Sequence, residues 1–323
     1  SSAPSSTVAT PKTSAPAANN ARLRAAGIRV PIVVLGLAQP GEAAAVIRHK
    51  LQPTVTSEKQ IRALSREAQR ARTRVAVHLK VDTGMGRIGL SADAAPNFIK
   101  RLSSAPGIQL AGVFTHFAHA DGRDLQLLNL QMQRLQAVTR ALDASVLVHA
   151  ANSAAVINAP QTHASMVRPG LMLYGLYPAP NLRTRVSLQP ALSWKTRIIE
   201  LKTVRPGTGL SYGHTYVTRR TSRIATLPVG YADGFSRALS NLGQVLIGGK
   251  LCPVVGRVCM DMCLVDVSRV PNAAVGDEVV LIGRQGQASL PAEDMAARLE
   301  TITYEIVCTI GSRVPRLYRG GGQ

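Results

Sequence analysis

Residues 75–90, VAVHLKVDTGMGRIGL, carry the clearest pattern of apolar and polar positions in the chain. The first eight positions alternate, which predicts a β-strand with two distinct faces. One face carries three titratable side chains: His78, Lys80 and Asp82. Because buried charges are costly unless paired, we interpret this face as a polar network inside a barrel. The alternative is an ordinary strand with its polar face in water. Gly84 and Gly86 permit a tight turn that leaves Arg87 at the carboxyl end of the strand, where barrel enzymes carry their chemistry.

Strands and helices alternate along the first half of the chain. Six strands are predicted, at residues 31–36, 53–56, 75–82, 108–117, 146–150 and 166–174. Helices are predicted between them, at residues 41–50, 57–72, 93–102 and 123–142 and from residue 152, with Ser57 as an N-cap. This alternation predicts a parallel sheet with helices outside it. A complete barrel needs eight strands, so the six units predict either an open doubly wound sheet or a barrel without its first two strands.

The pattern changes after residue 177. Strands then follow one another almost without helices, at residues 194–204, 210–218, 224–229, 245–247, 252–267, 278–282 and 304–315. A single helix is predicted at residues 291–300. Gly and Pro punctuate the strands, which predicts an antiparallel β domain. The predicted organisation is a disordered segment (1–20), an incomplete α/β barrel (21–180) and a C-terminal β domain (181–323).

The composition restricts the choice of partners. The chain has 323 residues and a formal net charge of +20, from 38 basic and 18 acidic residues. That charge is compatible with nucleic-acid binding, but only 4% of the residues are aromatic and stacking platforms for bases are therefore few. We predict an arginine-rich surface and no nucleic-acid partner. No apolar run approaches the roughly 18 residues of a membrane span, so no membrane partner is predicted.

The cysteines and the N-terminus bear on the cellular compartment. The chain contains four cysteines: Cys252, Cys259, Cys263 and Cys308. No two form a CxxC pair, which is typical of reduced thiols inside cells, and no metal site is predicted. Residues 1–20 are rich in Ser, Ala, Pro and Thr without periodicity, which predicts disorder. The absence of acidic residues before Glu42 resembles an organelle transit peptide. We predict a cytoplasmic protein, with an organelle as the alternative.

Nine motifs occur in one order along most of the chain. They are HLKVDTGMGRIGL (78–90), THFAHAD (115–121), HAANSAA (149–155), VRPGLMLYGLYP (167–178), LSYGHTYV (210–217), LPVGYADGF (227–235), VGRVCMDMCLVDV (255–267), GDEVVLIG (276–283) and CTIGSRVPRLY (308–318). All nine resemble alanine racemase. The resemblance implies a barrel with a C-terminal β domain, a homodimer, and pyridoxal phosphate (PLP) as the cofactor that supports inversion of the α-carbon of alanine.

The resemblance also implies roles for individual residues. It assigns catalysis to Tyr212, His116 and Arg168. In the family, the tyrosine matching Tyr212 is one of two bases and reaches across from the partner subunit, supported by a hydrogen-bonded cationic relay of His116 and Arg168. Arg168 also faces the PLP ring nitrogen, which stays unprotonated because a guanidinium does not give up its proton. The implied cofactor contacts are Arg87, His116, Ser153, Arg168, Gly170 and Leu171. The implied substrate contacts are Arg87, Met260 and Asp261.

Three positions concern the completeness of this site. Lys80 matches a lysine that is often carbamylated in the family, which would turn a buried cation into an anion able to pair with Arg87. Ser312 stands where many members carry a phosphate-contacting tyrosine. The second base should be the lysine that holds PLP as a Schiff base, in a context such as KANAYGHG, and no lysine of this chain has that context. We therefore expect this chain to lack two barrel strands and the lysine, and to be inactive alone.

Three hypotheses follow. The chain is an alanine racemase without its N-terminal segment, a non-catalytic protein derived from one, or a racemase acting on another amino acid. An upstream KxxxYGHG motif in frame would favour the first over the second. Side-chain size in the pocket near Met260 discriminates weakly between substrates.

Overall fold

The computed structural model describes residues 16–319. The chain divides into two compact units between Pro169 and Gly170, ahead of the predicted boundary at residue 180. We refer to them as the α/β unit and the β unit. No helix among the described residues combines the length and apolar character needed to cross a bilayer.

The α/β unit is built on a curled sheet of six parallel strands that neighbour one another in chain order. They are β1 (Val33–Leu37), β2 (Gln52–Val55), β3 (Val75–Asp82), β5 (Ile108–Phe114), β6 (Leu147–Asn152) and β7 (Met166–Arg168), with the two-residue β4 (Leu90–Ser91) beside β3. β1 pairs only with β2 among the described strands. The predicted barrel-type α/β fold is confirmed, as an incomplete barrel of six strands.

The predicted polar face of β3 lies in the interior. His78 is fully buried and Lys80 is nearly so, while the apolar alternate residues pack on the other face. The parallel register places Lys80, Phe114 and His149 level with one another across β3, β5 and β6. β3 is therefore buried on both faces, and its ionisable side chains His78 and Lys80 lie inside the sheet rather than in water.

Helices connect the strands of this unit. They are α1 (Pro16–Ala25), α2 (Ala43–Arg48), α3 (Glu58–Arg70), α4 (Ala95–Ser103), α5 (Gln126–Thr139) and α6 (Ser153–Asn158). Ser57 caps α3 by accepting a bond from the Gln60 N–H, as predicted, and Asn152 caps α6 in the same manner. Residues 1–15 of the predicted disordered segment lie outside the described residues. For residues 16–20 the prediction of disorder is wrong, since they lie in α1, which the Arg24 guanidinium holds through bonds to four carbonyls.

The β unit consists of antiparallel sheets around a large apolar core and two smaller apolar clusters. Its strands are β8 (Trp194–Arg197), β9 (Glu200–Val204), β10 (Gly209–Leu210), β11 (Tyr216–Val217), β12 (Ser222–Leu227), β13 (Gln244–Ile247), β14 (Lys250–Pro253), β15 (Cys263–Asp266), β16 (Glu278–Gln285) and β17 (Ala288–Leu290), and its helices are α7 (Ala292–Arg298) and α8 (Thr303–Thr309). β15, β12 and β9 form one sheet, and β14, β13, β16, β17 and β8 another. Trp194 and Phe235 meet edge to face in the core at 6.1 Å.

Several predicted strands are wrong in this half of the chain. Residues 304–315 begin in helix α8, because buried Thr303 and Ile306 are three positions apart and pack as a helical face despite their β-branched side chains. The predicted strand 210–218 breaks into β10 and β11 around a turn. The predicted strand 252–267 likewise separates into β14 and β15, and the strand predicted at 166–174 ends at residue 168.

Candidate active site

Four side chains in the α/β unit form one continuous hydrogen-bonded chain, which we call the histidine network: Arg168, His149, His78 and Gln52. Arg168 Nη1 lies 2.8 Å from His149 Nδ1, and His149 Nε2 lies 2.9 Å from His78 Nδ1. His78 Nε2 lies 3.1 Å from Gln52 Oε1. The network runs from the end of β7 through the middle of β6 and β3 to the first residue of β2.

The arginine sets the position of every proton in this network. A guanidinium only donates, so His149 Nδ1 must accept and a neutral His149 carries its proton on Nε2. His78 Nδ1 must then accept from His149, which leaves the His78 proton on Nε2. Gln52 completes the chain by accepting that proton at Oε1. All three bonds are satisfied with both imidazoles neutral.

Burial keeps the two imidazoles neutral. It lowers the pKa of His78 to about 4. For His149, burial and then the charges of Arg168 and His78 lower the pKa to about 2. Both side chains are fully buried, and a neutral imidazole costs far less to bury than a charged one. Arg168 is therefore the only cation in the histidine network at neutral pH.

Arg168 is fixed by more than His149. Its Nη2 donates to the carbonyls of Thr115 at 2.7 Å and Ala150 at 2.9 Å. The guanidinium lies over the Phe114 ring at 5.3 Å, and Phe114 stacks on His149 at 4.5 Å with nearly parallel rings. Burial lowers the pKa of Arg168 to about 10, which leaves it charged at neutral pH. The strand ends hold a cation whose charge and direction are both constrained.

Two further basic residues lie near Arg168. Lys80 Nζ sits 5.2 Å from the Phe114 ring centre. Burial lowers the pKa of Lys80, and the charges of Arg87 and Arg168 add to this effect. Arg87 follows β3 on its exposed turn. We call Lys80, Arg87 and Arg168 the cation cluster. Its accumulated positive charge favours an anion.

Asp82, the carboxylate whose charge acts on Lys80, is hydrogen-bonded to backbone N–H groups. Asp82 Oδ1 accepts from the N–H groups of Gly84, Met85 and Gly86 at 2.9, 2.9 and 3.1 Å. Burial opposes ionisation of this carboxyl, but the three bonds outweigh burial and lower its pKa. Asp82 therefore shapes the turn that carries Arg87.

The histidine bonded to Arg168 is His149, which its position at a strand end offered either as a relay member or as a core histidine. The sequence resemblance implied a relay between His116 and Arg168, but the Arg168 hydrogen bonds go to His149 and to two carbonyls. Burial, followed by the charges of Arg168, Arg87 and Lys80, lowers the pKa of His116 to about 4. His116 is thus a neutral neighbour of the cation cluster, and its implied relay with Arg168 stays a prediction.

One buried side chain escaped the sequence analysis. Gln131 in α5 is fully buried, and its Oε1 accepts from Ala118 N at 2.9 Å. Its Nε2 donates to the carbonyl of His116 at 3.2 Å and to Thr83 Oγ1 at 3.3 Å. Gln131 therefore holds the segments after β3 and β5, which carry the candidate site, at a fixed separation. Its position on an otherwise apolar helical face was the available signal.

The predicted phosphate-binding residues lie at turns. Ser153 is buried and begins α6 directly after the Asn152 cap in the α/β unit. Gly170 and Leu171 belong to the β unit, where Gly170 precedes a short 3₁₀ turn and Leu171 is buried in the apolar core. Their roles in binding phosphate stay predictions.

Tyr212 projects from the tip of the turn between β10 and β11, with 72% of its surface exposed. Ser211, Gly213 and His214 around it have φ of 61°, 69° and 46°. Ser211 Oγ donates to the carbonyl of Arg257 at 2.7 Å and so holds the strained turn. The predicted strand through this motif failed because positive φ angles end the ladder.

Two of the three predicted substrate residues, Met260 and Asp261, lie on a second turn of the β unit, between β14 and β15. Met260 is 54% exposed. Asp261 Oδ1 accepts from Arg313 Nη2 at 2.7 Å, and Arg313 also lies 3.6 Å from an oxygen of Asp233. Sequence reasoning missed Arg313, which is 52 positions from Asp261.

Two family models match the two parts of this chain. The family model described as "Alanine racemase, N-terminal domain" matches residues 10–178, and "Alanine racemase, C-terminal domain" matches residues 191–318. The chain belongs to the alanine racemase family. Alanine racemase of Halothermothrix orenii is 49% identical over 92% of this chain and 79% of its own length, and that of Desulfovibrio desulfuricans is 46% identical over 92% and 81%.

Solved alanine racemases share the fold. The enzyme from E. faecalis superposes with a TM-score of 0.87 at 36% identity, covering 94% of this chain and 82% of that one. The structure from Bartonella henselae, described with covalently bound pyridoxal phosphate, gives a TM-score of 0.83 at 27% identity over 93% and 83%. Alanine racemases are PLP-dependent isomerases, and the predicted family and cofactor are confirmed.

The α/β unit fits an anionic heteroaromatic cofactor. Its cation cluster has no acidic partner among the described side chains other than Asp82, which is bound to backbone N–H groups. Arg168 could donate to a ring nitrogen without titrating, and Arg87 and Lys80 would face negatively charged oxygens. Covalent attachment requires a lysine, and Lys80 is the lysine of this cluster.

Proposed function

We propose that this chain interconverts L- and D-alanine as part of a PLP-dependent racemase that uses two bases. The observation that carries the proposal is Arg168, a half-buried cation fixed by three hydrogen bonds beside neutral histidines. When bound, PLP supplies an electron sink for the α-carbon. An arginine beside its ring nitrogen weakens that sink and restrains competing reactions. Racemisation needs only a brief loss of the α-proton, so a weakened sink is sufficient.

Tyr212 is the proposed proton carrier on one face of the α-carbon. Its side chain is exposed at the tip of a turn held by Ser211, as expected of a group that acts outside its own β unit. We propose that it enters the site of the partner subunit. Neighbouring exposed apolar residues, including Met260 and Met262, support burial of this surface in a dimer.

Subunit complementation tests the exchange of Tyr212. The experiment uses the chain extended by a segment carrying the family lysine. Tyr212→Phe and Arg168→Ala variants, each inactive as homodimers, are mixed and allowed to exchange subunits. Activity should return, because one of the two sites then combines an intact Arg168 with an intact Tyr212 of the partner. If Tyr212 served its own subunit, every site would stay defective and mixing would restore nothing.

We also propose that a polypeptide of these 323 residues alone does not racemise alanine. The support is that none of its lysines stands in the family's KxxxYG context. Borohydride reduction with PLP followed by peptide mass analysis should label no single lysine specifically. Stoichiometric labelling of one site, with Lys80 the nearest to the cation cluster, would contradict this proposal.

A further inference from the structure

The histidine network ends at a residue far from the cofactor side of the sheet. Gln52 is the first residue of β2, whereas Arg168 is the last residue of β7. Gln52 is half-buried and lines an open cavity of about 520 Å³ together with Arg24, Lys50 and the loop before β1. The network therefore joins the carboxyl side of the sheet to solvent near its amino side.

The guanidinium of Arg24 in this cavity is already occupied by backbone carbonyls. The Arg24 guanidinium donates hydrogen bonds to four carbonyls at 2.8 to 2.9 Å, those of Ile28, Val30, His49 and Lys50. It is a clamp between α1 and the segments around α2. The cavity leaves open space next to Gln52, so the amide of Gln52 is the end of the histidine network that lies nearest to solvent.

We propose that Gln52 is a positioning residue for Arg168, acting through His78 and His149. Its amide oxygen accepts the His78 Nε2 proton and thereby stabilises the direction that Arg168 imposes on the network. Each imidazole then presents an acceptor towards Arg168, and the guanidinium keeps its bond to His149. The inference deepens the proposed function, because it names a residue that sets the group facing the cofactor ring.

An amide at position 52 keeps His78 neutral, whereas a carboxylate at the same position would not. A carboxylate at position 52 would also accept from His78 Nε2, but it would favour a doubly protonated His78. Charged His78 donates from Nδ1 as well, so His149 Nε2 must accept and its proton moves to Nδ1. That N–H then faces Arg168 Nη1–H, and two donors cannot bond. A proton taken up at one end would therefore break the bond between Arg168 and His149 at the other, and Arg168 would keep only its two bonds to carbonyls.

The charges around the network favour the neutral state. The charged or titratable side chains acting on it or lining its ends are Arg168, Lys80, His116, Arg87, Asp82, Arg24, Arg29 and Lys50. Most are cations, and Asp82 is bound to backbone N–H groups. None provides the carboxylate that would draw a proton onto His78, so the outcome depends on residue 52.

Nitrogen-15 NMR of labelled histidines reads the network directly, without any cofactor. Gln52→Glu and Gln52→Met are compared with Gln109→Glu and Gln109→Met, which alter an exposed glutamine near the amino end of neighbouring β5. In the parent chain both rings should stay neutral with the proton on Nε2 from pH 7.5 to 5. Gln52→Glu should charge His78 by about pH 6 and move the His149 proton to Nδ1. Gln52→Met should mix the His78 tautomers.

Non-covalent PLP binding supplies the second measurement. For Gln52→Glu, affinity at pH 5.5 should fall about tenfold relative to pH 7.5, beyond the change in Gln109→Glu, because Arg168 loses its bond to His149 and is held less firmly. A parent His149 protonated on Nδ1, or the parent's tautomers in both Gln52 variants, would overturn the positioning role. Predicted tautomers without a PLP effect would overturn the link between Gln52 and cofactor affinity. PLP that fails to bind even the parent chain would count against the proposed function instead.

Discussion

Acidification should destabilise the α/β unit steeply, because His78 and His149 are buried in the neutral form. In an unfolded chain a histidine has a pKa near 6.5 and is about 97% protonated at pH 5. Their pKa values of about 4 and about 2 leave both rings almost unprotonated in the folded state. The unfolded state thus binds about 1.9 more protons at pH 5, so stability rises with pH in this range.

The size of the effect follows from these protons. The free energy of unfolding should change by about 2.5 kcal/mol per pH unit at pH 5, and by about 4 kcal/mol in total between pH 7 and pH 5. Burial of His116, with its pKa lowered to about 4, acts in the same direction. The loss begins below about pH 6.5, where the unfolded histidines start to take up protons, and the contribution of His78 saturates below pH 4.

Hydrogen–deuterium exchange of peptides from β3 and β6, corrected for intrinsic rates, reports this free energy for the α/β unit alone. His78→Gln keeps an acceptor for His149 but removes one titrating group, so the slope at pH 5 should fall by about 1.2 kcal/mol per pH unit. His49→Gln, outside the network, should leave it unchanged. A parent slope below about 1 kcal/mol per pH unit, or an unaltered slope in His78→Gln, would refute the reasoning.

Two substitutions test how the site is packed. Gly112→Ala would place a Cβ 2.3 Å from His78 Nδ1, so it should displace the ring and cost several kcal/mol of unfolding free energy. The control Gly41→Ala, with no atom within 4 Å of the new Cβ, should be tolerated. Equal thermal stability of the two variants would contradict the contact with His78. Gln131→Met leaves buried partners unpaired and should cost about 2 to 3 kcal/mol in urea unfolding, against less than about 0.5 kcal/mol for Gln136→Met on the exposed face of the same helix.

Sequence reasoning predicted the α/β unit better than the β unit for a physical reason. The strands around Val77 and Val113 are buried on both faces and separated by amphipathic helices, so local periodicity identifies them. The turn at Tyr212 and helix α8 depend on positive φ angles and on tertiary packing, which period and propensity do not record.

In the candidate site, too, local motifs identified some residues, while contacts between distant strands could not be predicted. Lys80, Arg87 and Arg168 were recognised from motifs. The structure places Lys80 and Arg168 over the Phe114 ring, and the charge of Arg87 helps to lower the pKa of Lys80. The bonds of His78 to His149 and to Gln52 span 71 and 26 positions. Only the register of the parallel strands creates these contacts, so no local pattern could reveal them.

Formation of D-alanine from L-alanine tests the central claim most directly. The 323-residue chain, the chain joined to a segment carrying KxxxYGHG, and the joined chain with Arg168→Ala are each supplied with PLP and L-alanine, and D-alanine is measured by chiral chromatography. The account predicts D-alanine from the joined chain, little from its Arg168→Ala variant and none from the chain alone. Failure of the joined, folded chain, or full activity of the chain alone, would contradict it.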